Sequence, residues 1–330
     1  MSIILKEKLD SSIAWRGIDL QDRSTWLTWL KEAEIAALEK AMQGVKAKGL
    51  KAPFFTKADF VLPPEVTRFI DGLVDELENG RGFFLMRGLP AERYSEEEMA
   101  IIYYGMGLHM GETLSQNERG ELLSAVTAVG DPAKKSTRVY ETNEFLDYHT
   151  DPSDVVGLLS VKKAKQGGLS SIVSVAALYN EILEKYPEYL GLLYRPVYFD
   201  HLGEELPSRS PIFSYHKGKL ACRYLRKYLE VGMERRGCPI STVEHEMLEL
   251  IDSIIGNQEI HLDMMLEPGD MQFANNYAIL HSRSSFEDWD DPKEKRKLLR
   301  LWLKMPNARE LAPEFPACKG IPQRDRMPDY

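Results

Sequence analysis

Three side chains, two of them close together in the sequence, could hold a metal ion. The segment "DYHTDPSD", residues 147–154, contains His149 and Asp151. If it is extended, side chains at i and i+2 project to the same face, so the imidazole and the carboxylate can bind one ion. A candidate third ligand, His281, lies in "NNYAILHSR". Two histidines and one carboxylate form a facial triad, which suits Fe(II) and leaves coordination positions open for O2 and a co-substrate.

Each of these residues also has a simpler interpretation. Asp-Pro-Ser at 151–153 is a good turn sequence, so Asp151 could cap a turn. His281 taken alone could be a half-buried histidine with satisfied hydrogen bonds. The chain contains a second H-x-D pair, His261 and Asp263, so at least one of the two pairs is expected to be accidental.

Two arginines follow His281 in the segment "RKLLRLWLK", residues 296–304. Strand alternation places Arg296, Arg300 and Trp302 on one face. An arginine on an apolar strand is costly unless it meets an anion, and a guanidinium matches a carboxylate through two parallel hydrogen bonds. The pattern therefore favours binding of a dicarboxylate co-substrate, although surface arginines facing the acidic loop 287–291 remain an alternative.

The elements that must position these residues can be predicted from hydrophobic periodicity and turn residues. The early part of the chain is mainly helical and the later part contains more strands, which predicts a β-rich core with flanking helices in one domain. Predicted helices cover residues 22–49, 63–79, 95–107, 177–186 and 241–257. Predicted strands cover 82–88, 155–164 and 169–178 (these last two as a hairpin-like pair), "MQFANNYAILHSR" and 296–304.

The composition excludes several classes of protein. The 330 residues are 43% hydrophobic and carry a net charge of −9, which argues against general nucleic-acid binding. Three widely spaced cysteines, Cys222, Cys238 and Cys318, give no disulfide framework or zinc pattern, so a cytoplasmic location is expected. No stretch has the length and apolarity of a signal peptide or a membrane span.

Taken together, these segments resemble the taurine-dioxygenase-like family of Fe(II)/2-oxoglutarate-dependent oxygenases. The matching segments cover roughly residues 80–305: "GFFLMRGLP", "YHTD" with the apolar strand after it, "GGLSS", "LEPGDMQFANNYAILHSR" and "RKLLRLWL". Since the family's carboxylate-bearing pair comes early and its lone histidine late, we interpret His261 as a surface or packing residue.

The resemblance implies a mixed α and β fold with a β-rich core, a double-stranded β-helix (a jelly-roll, cupin-like barrel) with flanking helices. It implies a single domain over residues 1–330, divided into a helical region at 1–80, a barrel core at 80–305 with a helical insertion at about 177–260, and an irregular tail at 306–330.

The resemblance also implies roles for individual residues. His149, Asp151 and His281 would bind iron, and Arg296 would bind the distal carboxylate of 2-oxoglutarate with help from Ser170 or, alternatively, Ser171. Arg300 matches a position that contacts an anionic substrate in some members and supports the co-substrate in others, and both roles stay open.

The activity implied is oxidation of a small substrate by Fe(II), 2-oxoglutarate and O2, with release of succinate and CO2. Hydroxylation, desaturation or cyclisation is favoured over halogenation, because Asp151 leaves no ligand position free for chloride. The arginines suggest a carboxylate-bearing substrate such as an amino acid derivative. Arg300, Asn117, Tyr140 and Arg223 are candidate substrate-binding residues.

Two other functions fit the same residues. A zinc-dependent hydrolase or lyase could use the same His, Asp and His ligands with an activated water. A non-catalytic barrel could bind a carboxylate ligand or a partner protein. For partners, the sequence favours a small-molecule substrate, with no nucleic acid and no membrane, and it leaves open whether the chain forms a homo-oligomer.

Overall fold

The computed structural model describes residues 3–128, 141–200 and 207–323. The α-helices in these residues are α1 (Glu32–Ala47), α2 (Pro64–Asn79), α3 (Glu96–Met110), α4 (Val175–Lys185), α5 (Leu190–Leu193), α6 (Arg226–Arg235) and α7 (Thr242–Ile255). The strands are β1 (Leu27–Trp29), β2 (Phe83–Arg87), β3 (Glu112–Thr113), β4 (Leu123–Val126), β5 (Leu146–His149), β6 (Val155–Lys162), β7 (Gln166–Gly167), β8 (Ser170–Ser174), β9 (Val197–Phe199), β10 (Ser208–Ser210), β11 (Phe213–His216), β12 (Lys219–Cys222), β13 (Leu262–Met264), β14 (Met271–Asn275), β15 (Ile279–Arg283), β16 (Phe286–Glu287) and β17 (Lys297–Lys304).

The larger sheet joins strands that are far apart in the sequence. Within the described residues it has the order β1-β2-β14-β6-β17-β3, with β4 also paired to β17. Only β1 and β2 are parallel, and the other neighbours are antiparallel. The late strand β14 is therefore inserted between two early strands, β2 and β6.

The smaller sheet has the order β13-β8-β15-β5. The predicted hairpin of residues 155–164 with 169–178 is wrong, because β6 pairs with β14 and β17 whereas β8 pairs with β13 and β15. The connection contains Gly167 and Gly168 with φ of +76° and +74°. There the short strand β7 pairs with β16, so the chain does not return along β6 but enters the other sheet.

Apolar residues from both sheets form one inner core, which includes Phe83 and Val156 from the larger sheet and Ile172 and Ile279 from the smaller. Helices α1 to α3 cover the outer face of the larger sheet, and α4, α6 and α7 pack on the smaller one. Along β17 the alternation follows the prediction: Trp302 joins the inner core, whereas its neighbours join the outer one. The fold thus mixes helices and strands around a sheet-rich core, as predicted.

Helix boundaries were predictable where capping residues mark them. α2 begins at Pro64, and α3 begins after Ser95, whose hydroxyl and Glu98 form a capping box. The predicted helix at 22–49 is correct only from Glu32 onwards. Residues 27–29 form a strand instead, because they pair with β2 and the Trp26 indole packs against Phe83.

The segment between β8 and β13 contains the helices α4 to α7 and also the short strands β9 to β12. In the described part of the C-terminal segment, residues 305–323 contain no helix or strand. None of the helices in residues 3–128, 141–200 and 207–323 combines the length and the apolarity needed to cross a lipid bilayer.

An ion pair in the turn before β14 gives a test of this architecture. Asp270 is 1% exposed and accepts hydrogen bonds from Arg87 on β2 and from the backbone N–H of Glu267. Asp270→Ala leaves the Arg87 charge without its partner, so we expect the free energy of unfolding in urea to fall by about 3 kcal/mol. Glu267→Ala in the same turn removes only an exposed pair with Lys163 and should cost less than about 1 kcal/mol. Equal losses in the two variants would contradict this account.

Candidate metal centre

The three predicted ligands meet between the two sheets. His149 ends β5 and lies opposite His281 in the antiparallel β5–β15 pair, and Asp151 follows two residues after His149. The Asp151 carboxylate oxygens lie 3.8 Å from His149 Nε2 and 3.6 Å from His281 Nε2. The three potential ligand atoms all lie within 4.8 Å of one another. A single ion with ligand bonds of about 2.0–2.2 Å fits this spacing with small side-chain adjustments.

The protonation states of His149 and Asp151 suit a divalent cation. His149 Nδ1 is hydrogen-bonded to the backbone oxygen of Asp147 at 2.7 Å, so Nε2 faces Asp151. Burial, reinforced by His281, lowers the pKa of His149 to about 4 and leaves it neutral. Burial acts to raise the pKa of Asp151, but Arg300 and the two imidazoles outweigh it and lower that pKa. Neutral imidazole and ionised carboxylate are the metal-binding forms, so the donor set fits Fe(II).

Two residues hold Asp151 in this position. The Trp302 indole donates a hydrogen bond to Asp151 Oδ2 at 2.8 Å, and the Asp151 backbone N–H donates to Asn276 Oδ1 at 3.0 Å. Asn276 is 1% exposed and also donates to the Ser153 hydroxyl. Our sequence prediction missed Asn276. The sequence feature that could have identified it is the pair of asparagines between two apolar strands.

Loss of the indole hydrogen bond should weaken metal binding. In Trp302→Phe, Asp151 loses a donor that orients it, and we expect Fe(II) affinity to fall about 10-fold, as when other groups that orient metal ligands are removed. Anaerobic Fe(II) titration measures this change. Trp26→Phe is the matched control, because the Trp26 indole donates to the backbone oxygen of Leu20 and not to the triad. Unchanged affinity in Trp302→Phe would contradict the role given to the indole.

Arg300 links the triad to a buried glutamine. Its Nη1 lies 3.9 Å from Asp151 Oδ2, and its guanidinium lies 4.7 Å from the Trp302 ring centroid. Arg300 Nε donates to Gln116 Oε1 at 2.7 Å, and Gln116 Nε2 donates back to the Arg300 backbone oxygen. Gln116 is fully buried, so it fixes the direction of the Arg300 side chain. The sequence analysis selected its neighbour Asn117 instead.

Arg296 immediately precedes β17 and is 4% exposed. Its Nη1 is buried and has no hydrogen-bond partner among the described residues. Burial and the neighbouring Arg283 lower the pKa of Arg296 to about 10, an effect that Asp288 partly offsets. Gly168 leaves room for the side chain, because a Cβ at that position would lie 3.0 Å from Arg296 Nε.

Of the two alternative serines, Ser170 lines the cavity that Arg296 faces. Its hydroxyl donates to Gln272 Oε1 at 2.7 Å. Ser171 instead shares a hydrogen bond of 2.6 Å with the Tyr148 hydroxyl. The geometry therefore brings Ser170, and not Ser171, to the predicted co-substrate region.

This cavity lies beside the triad, and both polar and apolar side chains line it. Its polar lining consists of His149, Asp151, Ser170, His281, Ser282, Arg283, Arg296 and Arg300. Its apolar lining consists of Val126, Leu146, Val156, Leu158, Leu266 and Leu298. Of the polar residues in this lining, the sequence analysis missed Ser282 and Arg283; the position of Arg283 two residues after His281 on a strand was the signal that could have identified it.

Two of the remaining predicted residues, Asn117 and Arg223, do not line this cavity. Asn117 donates to Glu121 and accepts from the backbone N–H of Arg119 within its own loop. Arg223 donates to the Pro316 backbone oxygen and to Cys318, and so holds the C-terminal segment. Tyr140 lies outside the described residues.

The second H-x-D pair lies elsewhere. His261 Nδ1 is hydrogen-bonded to the Ile255 backbone oxygen at 3.1 Å, and its Nε2 lies 3.7 Å from the exposed Asp263. Among the described residues, the His149, Asp151 and His281 group is the one set of potential ligands close enough to share an ion. The structure thus places His149 and Asp151 next to His281, whereas the second H-x-D pair lies apart from them.

Comparison with known proteins gives a consistent set of relatives. Residues 48–302 match the model of the "Taurine catabolism dioxygenase TauD, TfdA family". Among curated proteins, the chain is 33% identical over 317 residues to FR-33289 synthase of Streptomyces rubellomurinus (strain ATCC 31215), with 93% of each chain covered.

Solved structures of non-haem iron oxygenases share the fold. An asparagine oxygenase complexed with Fe(II), 3-hydroxyasparagine and succinate superposes with a TM-score of 0.65 at 15% identity, covering 84% of this chain and 93% of that one. The non-haem iron oxygenase OrfP, complexed with Fe and α-ketoglutaric acid, superposes with a TM-score of 0.62 at 15% identity, covering 84% and 94%.

Proposed function

We propose, since this chain belongs to the taurine catabolism dioxygenase TauD/TfdA family, that it oxidises a small carboxylate-bearing substrate such as an amino acid derivative. The chain is a non-haem oxygenase that uses Fe(II), 2-oxoglutarate and O2. We expect hydroxylation, or the related desaturation or cyclisation, with release of succinate and CO2. The observation that carries the proposal is the convergence of His149, Asp151 and His281 on a cavity that also contains Arg296.

Each residue at the site has a defined task in this proposal. His149, Asp151 and His281 would hold Fe(II), with Asp147 and Trp302 fixing the direction of two of them. The Arg296 guanidinium would pair with the distal carboxylate of 2-oxoglutarate, and Ser170 would lie beside it. A buried, unpartnered Nη1 at Arg296 supports this assignment, because an anion would compensate a charge that burial otherwise destabilises.

The metal with its bound co-substrate supplies the oxidising chemistry, in which O2 is reduced and 2-oxoglutarate loses CO2. The protein orients the metal ligands and excludes water from the site. The Arg300 charge favours the ionised form of the Asp151 carboxylate, and the Trp302 indole directs that carboxylate through its hydrogen bond. The apolar side chains of Val156, Leu158 and Leu298 limit the access of water to the reacting substrate.

The position of Arg300 favours a substrate that carries a negative charge. It is 6% exposed, lines the cavity and is held by Gln116 next to Asp151. A substrate carboxylate paired with this guanidinium would lie next to the proposed metal position, since Arg300 Nη1 is 3.9 Å from Asp151 Oδ2. The asparagine oxygenase that shares this fold, whose complex contains 3-hydroxyasparagine, supports an amino acid as the substrate class.

We extend the proposal to the architecture. The two sheets, with late strands inserted between early ones, would form the double-stranded β-helix of a jelly-roll barrel. Residues 1–330 would constitute one domain, since the inner core draws on residues from Trp15 to Trp302. The predicted substrate-binding residues still include Asn117, Tyr140 and Arg223. Asn117 and Arg223 would have to move to reach the cavity.

A substrate panel tests the proposed function. The protein is incubated in air with Fe(II), ascorbate and 2-oxoglutarate, and succinate is counted for each amino acid or derivative and for its matching carboxamide. Stimulation by carboxylates and not by their carboxamides supports the proposal. Stimulation only by neutral compounds without a carboxylate would overturn the substrate class.

The zinc-dependent hydrolase or lyase is no longer favoured. Its three ligands are the same, but it gives no reason for the buried Arg296 and Arg300 in the same cavity, and the matching family and the structural neighbours are iron oxygenases. A non-catalytic barrel is disfavoured for the same reason.

A further inference from the structure

A second buried arginine shares the co-substrate end of the cavity. Arg283 lies two residues after His281 on β15, so both side chains face the space between the sheets. It is 6% exposed. Its Nη2 donates to the Glu144 backbone oxygen, and its Nε is buried with no hydrogen-bond partner among the described residues. Arg283 therefore keeps an unused donor inside the protein.

Arg283 and Arg296 contact the same aromatic ring. Their guanidinium carbons lie 4.7 Å and 5.1 Å from the ring centroid of Phe286, which is 6% exposed. Phe286 holds the two cations in one region, and Arg296 Nη1 is likewise buried without a partner among the described residues. Two orphaned guanidinium donors thus face one cavity from opposite sheets.

The charge balance at this end of the cavity is unfavourable without a ligand. Among the described residues, neither guanidinium forms an ion pair within 4 Å. The nearby Asp288 accepts a hydrogen bond from the Arg296 backbone N–H, and its charge offsets only part of the cost of burying Arg296. Buried like charges repel each other, and a cation–π contact compensates only part of the lost hydration. An anion bound between the two guanidiniums would offset both their mutual repulsion and their lost hydration.

We propose that Arg283 is a second binding residue for the distal carboxylate of 2-oxoglutarate and shares it with Arg296. One carboxylate has enough acceptor positions for donors from two guanidiniums. Arg296 would hold the carboxylate from the larger sheet and Arg283 from the smaller one. The co-substrate would then contact residues of both sheets next to the metal position. Its length would have to match the distance from the metal position to the two guanidiniums.

A merely structural role is the competing explanation, because Arg283 also anchors the segment before β5 through Glu144. The two roles predict different behaviour in Arg283→Met, which keeps most of the volume and removes the charge. If Arg283 binds the co-substrate, the ligand-free protein should keep its Tm or gain stability, because a buried uncompensated charge is gone. If Arg283 is structural, the Tm of the ligand-free protein should fall.

The experiment titrates Fe(II)-loaded wild-type protein and Arg283→Met under argon with 2-oxoglutarate, and separately with 2-oxopentanoate, which lacks the distal carboxylate. Loss of a charged hydrogen-bond partner predicts a Kd for 2-oxoglutarate that rises about 10- to 100-fold. The Kd for 2-oxopentanoate should stay within about twofold. Arg283→Lys, which keeps the charge but not the planar donors, should give an intermediate Kd for 2-oxoglutarate.

An unchanged Kd for 2-oxoglutarate in Arg283→Met would overturn the inference. So would equal weakening for both oxo acids, or weakening together with a lowered Tm of the ligand-free protein. The inference rests on the proposed use of 2-oxoglutarate. The wild-type titration distinguishes a failure of the inference from a failure of the proposed function, because wild-type protein that does not bind 2-oxoglutarate would contradict the proposed function itself.

Discussion

His149→Ala is expected to bind Fe(II) more than about 100-fold more weakly than the wild-type protein and to lose oxidation of the substrate with it. Removing groups that only orient metal ligands costs 10- to 100-fold in affinity, and His149 is itself a proposed ligand. The substitution leaves two donors, Asp151 and His281, for an ion that needs three from the protein. Anaerobic Fe(II) titration and succinate formation measure the two effects.

His261→Ala is the matched control for this prediction. Both histidines belong to an H-x-D sequence, and both use Nδ1 in a hydrogen bond to a backbone oxygen. They differ in that only His149 lies within reach of His281. His261→Ala should therefore keep its iron affinity within about twofold. Similar losses in both variants would mean that destabilisation, and not ligation, explains the result.

Arg296→Ala is expected to raise the 2-oxoglutarate concentration needed for half-maximal turnover by about 100-fold or more while iron binding is retained. Truncating one member of a buried, hydrogen-bonded charge pair costs about 2–5 kcal/mol, which corresponds to roughly 30- to 4000-fold in Kd. The distal carboxylate would lose its strongest partner, whereas the triad on the smaller sheet is not touched. Succinate formation over a range of 2-oxoglutarate concentrations measures the effect.

An exposed arginine provides the control for this second prediction. Arg16 pairs with Glu259 at the surface, where both side chains are about half exposed, so Arg16→Ala removes the same charge away from the cavity. It should leave the 2-oxoglutarate requirement unchanged. If Arg296→Ala kept the wild-type requirement, or lost iron as well, the assignment of Arg296 to the co-substrate would be wrong.

Much of the metal centre could be predicted from the sequence, because strand alternation is local. The spacing of His149 and Asp151 and the face shared by Arg296, Arg300 and Trp302 follow from a period of two residues. The same reasoning could have included Arg283. The sequence alone does not decide the matter, because an arginine after His281 also fits a strand end at the surface, and its burial depends on how distant segments pack.

Residues that act by holding others were not predictable in this way. Gln116 contacts Arg300 across 184 positions of sequence, and Asn276 supports Asp151 across 125. Nothing in the local pattern distinguishes Gln116 from Asn117, which turns back into its own loop. The wrong hairpin of β6 with β8 has the same origin: adjacent strands were paired, whereas the partners supplied by β14 and β17 come more than 100 residues later.

The insertion of β14 between β2 and β6 has a consequence for how the protein is made. At synthesis rates of about 5–20 residues per second, the ribosome needs roughly 10–40 s to add the residues that separate Arg87 from Met271. During this time the apolar strands β2 and β6 exist without the neighbour that will separate them, and unpaired strand edges promote aggregation. Because His281 follows β14, a nascent chain cannot assemble the triad before β14 has been synthesised. Iron therefore cannot be held by all three ligands during this interval, and a complete metal centre can form only late in synthesis.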